Sequence, residues 1–302
     1  MITLELPENF AWKKLLALYK NSHCLEPTEH ADPKKGVLEG IVELPRPFWY
    51  RLEPLGGLLQ LGLTAPDGAR KPSKQDYQAA RAWAVRRLWL GLDYGALRDA
   101  LEVSFLGYSL SGEYWPVMSP AYTSYWAALL RIYCGRNLDA TLRETLGDKV
   151  CFGGKTYALL PRPEQMMGVS GLELQAMGLS SWSSRKVPHI TQVFLHDEEL
   201  QLEQLPTDPE AALKLLTKRL ELGGTSAAWV LMRGAMHPDV PLEGGHIRRA
   251  LGEGLGLDKT PKLKEYLELL RPHAPYRSFA SYYLHLSQIK LWRKDWTLDG
   301  GD

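Results

Sequence analysis

DPEAALKLLTKRLELGGTSAAWVLMRG, residues 208–234, decides how the rest of the chain is read. Its apolar residues recur at three-to-four spacing on either side of Gly223-Gly224, which predicts two helices joined by a short glycine turn. Thr207 or Asp208 caps the first helix, and Glu210 lies in its first turn, where a negative charge complements the helix dipole. The second helix opens with the small residues Thr225, Ser226, Ala227 and Ala228. The first amides of a helix have no partner within it, and together with the dipole they favour an anion, so such a turn can hold a phosphate. Glycine matters there because a side chain would block close approach of a backbone oxygen. An ordinary helix–helix turn carries the same glycines, so the turn alone does not decide function.

Working outward, nearly everything between residues 94 and 302 reads as helix. SPAYTSYWAALLRIYC (119–134) is predicted to start at the cap Ser119 with Pro120 at the first helical position. LPRPEQMMG (160–168) reads as a loop entering a short helix, and LELQAMGLSSWSSRKVPHITQVFL (172–195) as two helices separated at Gly178. HIRRALGEGLG (246–256), KLKEYLELLRP (262–272) and YRSFASYYLHLSQIKLW (276–292) complete an all-α segment. The first 93 residues read differently. VLEGIVELP (37–45) and LLQLGLTAPDG (58–68) alternate like half-buried strands, the second running into a turn at Pro66-Asp67-Gly68. A short helix is expected over Trp12–Tyr19, Pro45, Pro47 and Pro54 interrupt what lies between the strands, and KQDYQAARAWAVRRLWLGLD (74–93) is helical. The expectation is an α+β domain with a small antiparallel sheet over 1–93, followed by an all-α domain over 94–302.

The chain has 302 residues, a formal net charge of +1, 45% hydrophobic and 24% charged side chains, as ordinary globular proteins have. So little net charge argues against non-specific coating of nucleic acid but leaves room for a local basic face. The 10 Trp and 14 Tyr are core or stacking platforms for bases. Cys24, Cys134 and Cys151 are far apart and odd in number, which excludes a disulfide framework or cysteine metal cluster; a reducing cytoplasm is expected, with no metal and no cofactor. No run approaches the roughly 20 apolar residues of a membrane span, and MITLELPENF lacks the pattern of a signal peptide.

The hairpin stretch resembles that of the helix-hairpin-helix DNA glycosylases, and in particular of the bacterial 3-methyladenine type, whose pattern runs L-x-x-I/L-x-G-I/V-G-x-W-T-A-x-Y-x-x-x-R-G. Gly223 falls on the second hairpin glycine, Ala227 on the alanine, Trp229 on the aromatic that faces the base pocket, and Arg233-Gly234 on the closing pair. Glu221 stands at the first hairpin glycine, and Thr225 at the tryptophan. Three further segments resemble the family in order: LLPRPEQM (159–166) its F-P-T-P-x-x-L, LELQAMGLSSWSSRKVPHI (172–190) its L-x-x-L-G-L-x-x-x-K-A-x-x-I helix pair, and RPHAPYRSFASYYLHL (271–286) its W-x-P-W/Y-R-S-Y-A. The resemblance as a whole covers roughly residues 95–290.

The resemblance implies a monomeric enzyme that flips a damaged base out of double-stranded DNA and hydrolyses its N-glycosidic bond, the leaving group being an alkylated purine such as 3-methyladenine. Leu222, Gly223, Gly224 and Ser226 would hold the DNA backbone, and Trp229 and His285 would line the base pocket. Leu129 or Leu130 falls where the family takes its minor-groove wedge. In the family an aspartate sits in a P-x-D-D-x-x-I/L-R/K pattern, where its charge supports an oxocarbenium-like transition state. Matching Ile247-Arg248 puts Gly244 on that aspartate; matching Asp239-Val240 puts Gly245 there. Three side chains could substitute: Glu243, adjacent and one methylene longer; His246, a base near neutral pH; and Asp239, earlier in the loop. Thr225 holds the place of the lysine used by bifunctional relatives, which implies a monofunctional enzyme without Schiff-base chemistry. A catalytically impaired lesion-binding protein of the same fold, and an enzyme acting on another base, are the other two readings.

Overall fold

The computed structural model describes residues 1–8, 10–21, 24–102 and 118–292. The chain opens with a five-stranded antiparallel sheet in the order β1-β5-β4-β3-β2, formed by β1 (Ile2–Glu5), β2 (His30–Asp32), β3 (Val37–Glu43), β4 (Pro47–Leu55) and β5 (Leu58–Thr64). β3 and β5 are the two expected strands. β4 is the strand that the prolines hid. Pro47 opens it and Pro54 pairs with Leu59 beside the Gly56-Gly57 turn, so neither breaks its middle, where Phe48, Tyr50 and Leu52 point into the core. α1 (Trp12–Asn21) and α2 (Lys74–Arg87) accompany the sheet, and Trp83 of α2 meets Tyr50 edge-on at 4.8 Å. Ser73 and Asp76 cap α2 reciprocally, and the helix stops at Arg87, short of residue 93.

The helices that follow are α3 (Tyr94–Glu102), α4 (Tyr125–Leu146), α5 (Pro163–Met166), α6 (Gly171–Ala176), α7 (Ser181–His196), α8 (Pro209–Arg219), α9 (Gly224–Arg233), α10 (Gly245–Gly254), α11 (Leu263–Leu270) and α12 (Arg277–Trp292). Two expectations need correction. α4 begins five residues later than predicted, because Ser124 and not Ser119 is its cap: Ser124 Oγ accepts the Ala127 amide at 3.1 Å. The segment after residue 93 is also not all-α. β6 (Lys149–Phe152) and β7 (Lys155–Ala158) form a hairpin around Gly153-Gly154, both at positive φ, as a two-residue hairpin turn requires. Its Val150, Phe152 and Tyr157 pack on Ile41 and Trp49 of the first sheet, and Asp67 accepts the Gly153 and Gly154 amides at 2.9 and 2.7 Å.

One continuous core runs from Leu4 through Leu286. Two buried acid–arginine groups reinforce it where residues 24–29 meet the helices. Glu26 accepts from Arg131 Nη2 at 3.1 Å, from Arg143, and from Thr123 Oγ1 at 2.8 Å, which ties this segment to α4. Glu29 accepts from Arg87 Nη2 at 2.9 Å and from Tyr50, which ties it to α2 and β4.

Candidate functional site

The predicted hairpin is α8 and α9. Asp208 caps α8, its Oδ2 accepting the Ala211 amide at 2.7 Å. Leu220 and Leu222 are buried and fix the turn, and Tyr133 of α4 donates to the Leu220 carbonyl at 3.0 Å. Glu221 takes the positive φ (53°) that glycine would adopt more readily; its carboxylate is held by Lys186 of α7. Gly223 is the cap residue of α9, and among the described residues no side chain caps that helix. The first intrahelical bond goes to the Ala227 amide, so the amides of Gly224, Thr225 and Ser226 lead the helix with no intrahelical acceptor. Gly223 and Thr225 are exposed, and Ser226 is half-buried.

The closing Arg233-Gly234 pair has two different tasks. A Cβ on Gly234 would lie 2.5 Å from Ala128 Cβ, so glycine lets α9 end directly against α4. Arg233 folds back along its own helix. Its guanidinium lies 4.2 Å from the Trp229 ring centre and 5.5 Å from that of Tyr282, and its Nε donates to Ser119 Oγ at 3.2 Å. Ser119, predicted as a helix cap, is thus a buried support under this cluster.

Trp229 stands edge-on to His285 of α12 at 5.1 Å, and His285 is hydrogen-bonded to His246 of α10, Nδ1 to Nε2, at 2.9 Å. Three helices therefore bring Trp229, Tyr282, His285 and His246 together. Burial, with Arg233 and His246 beside it, pushes the His285 imidazole down to about 3; burial and Arg249 lower that of His246. Both shifts favour the neutral rings.

The loop that leads to His246 is laid onto α12 by the R-S-x-A-S run. Arg277 binds Asp239 through both Nε and Nη2 at 2.8 Å. Ser278 Oγ accepts the Val240 amide at 2.8 Å, and Ser281 Oγ accepts the Leu242 amide at 2.9 Å. Asp239, one of the three proposed substitutes, is consequently buried and committed to Arg277, whose amide it also accepts at 3.1 Å. Asp239→Ala is expected to lower stability by about 3 kcal/mol, the scale of breaking a buried pair, measured by urea denaturation.

Gly244 and Gly245, the two positions that the sequence resemblance matches to the family aspartate, face different surroundings. A Cβ on Gly245 would meet nothing within 4 Å. A Cβ on Gly244 would point at the His246 ring, 3.1 Å from Cε1 and 3.3 Å from Nδ1. His246 thus occupies the space that a side chain at Gly244 would enter. Glu243 turns elsewhere. Its Oε2 lies 2.9 Å from where a Cβ of Gly224 would be, at the start of α9, and it lines a cleft of about 580 Å³ between α8 and α11 with Pro209, Leu213 and Leu267. Burial raises its carboxyl above the ordinary value against the pull of Arg248.

The sequence marks His246 as a possible base and His285 as a pocket wall but does not reveal them as a pair. Nothing local links positions 39 residues apart. The wedge expectation is corrected: Leu129 and Leu130 are 0% and 3% exposed and belong to the core, so neither can enter a groove. Thr225 presents no amine at the position of the bifunctional lysine. Among the described residues, no group of three or more His, Cys, Asp or Glu could hold a metal ion, and no helix is long and apolar enough to cross a membrane.

No family model matches the chain, and no curated protein matches its sequence. Its structural neighbours are DNA glycosylases. The 3-methyladenine DNA glycosylase from Archaeoglobus fulgidus superposes with a TM-score of 0.77 at 16% identity, over 96% of this chain and 99% of that one. The Clostridium acetobutylicum 8-oxoguanine glycosylase/lyase, in complex with double-stranded DNA containing cytosine opposite 8-oxoguanine, superposes at 0.69 and 15% identity, over 95% and 93%. Its apo-form gives 0.69 at 15%, over 94% of each chain. At such identities the shared property is the fold.

Proposed function

We propose that the chain is a monofunctional DNA N-glycosylase that binds damaged double-stranded DNA as a monomer and excises alkylated purines such as 3-methyladenine. One observation carries this reading: a single helix, α9, begins with the uncapped amides of the hairpin and five residues later bears Trp229 against His285, which is bonded to His246. Five residues correspond to roughly 7.5 Å of helical rise. A phosphate held at the helix start therefore leaves the base of the same flipped nucleotide within reach of the aromatic cluster. The A. fulgidus neighbour, which is named a 3-methyladenine glycosylase, and the duplex-bound 8-oxoguanine enzyme support it by fold. Thr225 in place of an amine supports hydrolysis over a Schiff-base lyase. Alkylation of a purine weakens its glycosidic bond before the enzyme acts, which suits a site without the family carboxylate.

The glycine at 244 favours one second reading, a lesion-binding protein without chemistry. Incubation with methylated duplex separates the two: release of methylated purines supports the enzyme, whereas tight binding to an abasic-site duplex without any release supports the binder.

Glu243 provides a further check on the hairpin. Its carboxylate lies where a DNA phosphate would approach α9, so Glu243→Gln is expected to tighten duplex binding about threefold, the scale of one charge near a helix start. For the same reason binding by the unaltered protein should strengthen as pH falls through the raised Glu243 value and this charge is lost. Fluorescence anisotropy with a labelled abasic duplex at several pH values measures both effects; a pH response that persists unchanged in Glu243→Gln would contradict the assignment.

A further inference from the structure

We propose that His246 and His285 are a catalytic pair that takes the place of the missing carboxylate: His246 accepts the proton of the attacking water, and His285 sets the tautomer in which it does so. The proposal rests on the glycosylase reading and names the groups that perform its chemistry.

Four observations lead to it. First, the His246 ring fills the space into which a side chain at Gly244 would project, within 3.3 Å of that side chain's first atom. The imidazole therefore stands where the aligned aspartate would begin, and Nδ1 is on the edge that faces Gly244. Second, Nε2 of His246 and Nδ1 of His285 are 2.9 Å apart. When Nε2–H donates to His285, Nδ1 of His246 carries the lone pair, as a general base needs. Third, His285 lies edge-on to Trp229, which places the pair beside the face expected to receive the base. Fourth, among the described residues the neighbouring carboxylates turn elsewhere, Asp239 to Arg277 and Glu243 toward Gly224 at the start of α9.

The surroundings favour the neutral form of both rings. Arg233 on α9 and Arg249 on α10 oppose a positive charge on them, and burial acts in the same direction. Tyr282, the titratable neighbour on α12, is raised by burial and stays protonated. A lowered imidazole is a weak base at rest, and the shift favours the unprotonated ring that can accept.

The step balances as follows. The bond between C1′ and the base nitrogen breaks, and its electron pair stays on the base, so a cationic alkylated purine leaves neutral. The oxygen of water bonds to C1′. One water proton passes to Nδ1 of His246, and the imidazolium then returns it to solvent. Neutral rings do not stabilise the oxocarbenium-like sugar as a carboxylate would, so the pair suits a leaving group that departs readily.

The test compares single-turnover release of methylated purines from duplex DNA by the unaltered protein, His246→Ala, His285→Ala and the double variant Gly244→Asp/His246→Ala, with affinity for an abasic duplex measured for each. His246→Ala is expected to slow release about 10²–10³-fold, the range of general-base catalysis, with abasic-duplex affinity held within about threefold. His285→Ala should lose less rate and move the acidic limb of the pH–rate profile downward, because His246 loses the acceptor that stabilises its imidazolium. The double variant should regain rate, since alanine vacates the space that the new carboxylate needs and the extended backbone at Gly244 (φ −177°) accepts any residue. Release by His246→Ala at the unaltered rate overturns the proposal. So does release by the double variant alone, with none from the unaltered protein, and that result would leave the fold's glycosylase capacity intact. Absence of release from all four proteins overturns the glycosylase reading as well.

Discussion

Gly223→Asp is expected to weaken duplex binding about 100-fold while leaving the fold as stable as before. Gly223 is the cap residue of α9, exposed, with φ −64° and ψ 149°, and a Cβ there meets nothing within 4 Å. Aspartate is a favoured cap in that conformation, and its carboxylate accepts an amide two or three residues on. The helix gains a few tenths of a kcal/mol by that bond. The same carboxylate takes the amides offered to a phosphate and adds a negative charge where the phosphate must approach. Loss of hydrogen bonds to a charged group and the added repulsion together amount to about 2.7 kcal/mol, which is the 100-fold change. Anisotropy with an abasic duplex and thermal denaturation read the two effects separately. Unchanged binding would remove the hairpin from the DNA interface.

The largest effect on stability is expected from Glu26→Ala. The Glu26 side chain is 3% exposed, and the two arginines that it neutralises are 3% (Arg131) and 6% (Arg143) exposed. Burial alone would raise its carboxyl, but Arg143 and Arg131 outweigh burial and hold it below the ordinary value. Removing it leaves two buried guanidinium groups without their shared carboxylate and separates residues 24–29 from α4. Breaking such a pair costs about 3–5 kcal/mol, on the order of a 10 °C fall in Tm. Because the folded value is depressed, this contribution is complete above the unfolded glutamate value of about 4.3. It is lost as pH falls through the folded value, and Glu26→Ala should not show that part of the acid destabilisation. Denaturation from pH 7 to pH 3 checks both the size and the sign.

The helical part of the molecule was legible in the sequence because its signals are local. Asp208 before Pro209, the double glycine at 223–224, Gly178 between two apolar runs, and the periodicity of α8 to α12 each act within a few residues. The sheet was legible only where alternation was uninterrupted, as in β3 and β5. β4 was obscured by prolines that sit harmlessly at its ends. The β6–β7 hairpin announced itself through Gly153-Gly154 between alternating residues, a signal outweighed by the helical context on both sides. At the candidate site, the residue types were visible and their pairing was not. Glu243 is next to Gly244 in sequence, yet its carboxylate turns toward Gly224, whereas His246, two residues on, comes back over Gly244. That exchange depends on the path of a loop fixed by Ser278, Ser281 and Arg277 of a helix some 40 residues later. Leu129 and Leu130 failed as wedge residues for a related reason: their positions on α4 were right for the alignment but face the core.

The most direct test of the central claim is to incubate the unaltered protein with duplex DNA carrying methylated purines and to count abasic sites by cutting with an abasic-site endonuclease at neutral pH, against the same DNA without the protein. A monofunctional glycosylase leaves the strands intact before the endonuclease and cut at purine positions after it, in single-turnover proportion to the protein added. Strands that resist the endonuclease no less than the protein-free control, after prolonged incubation at protein excess, would contradict the account.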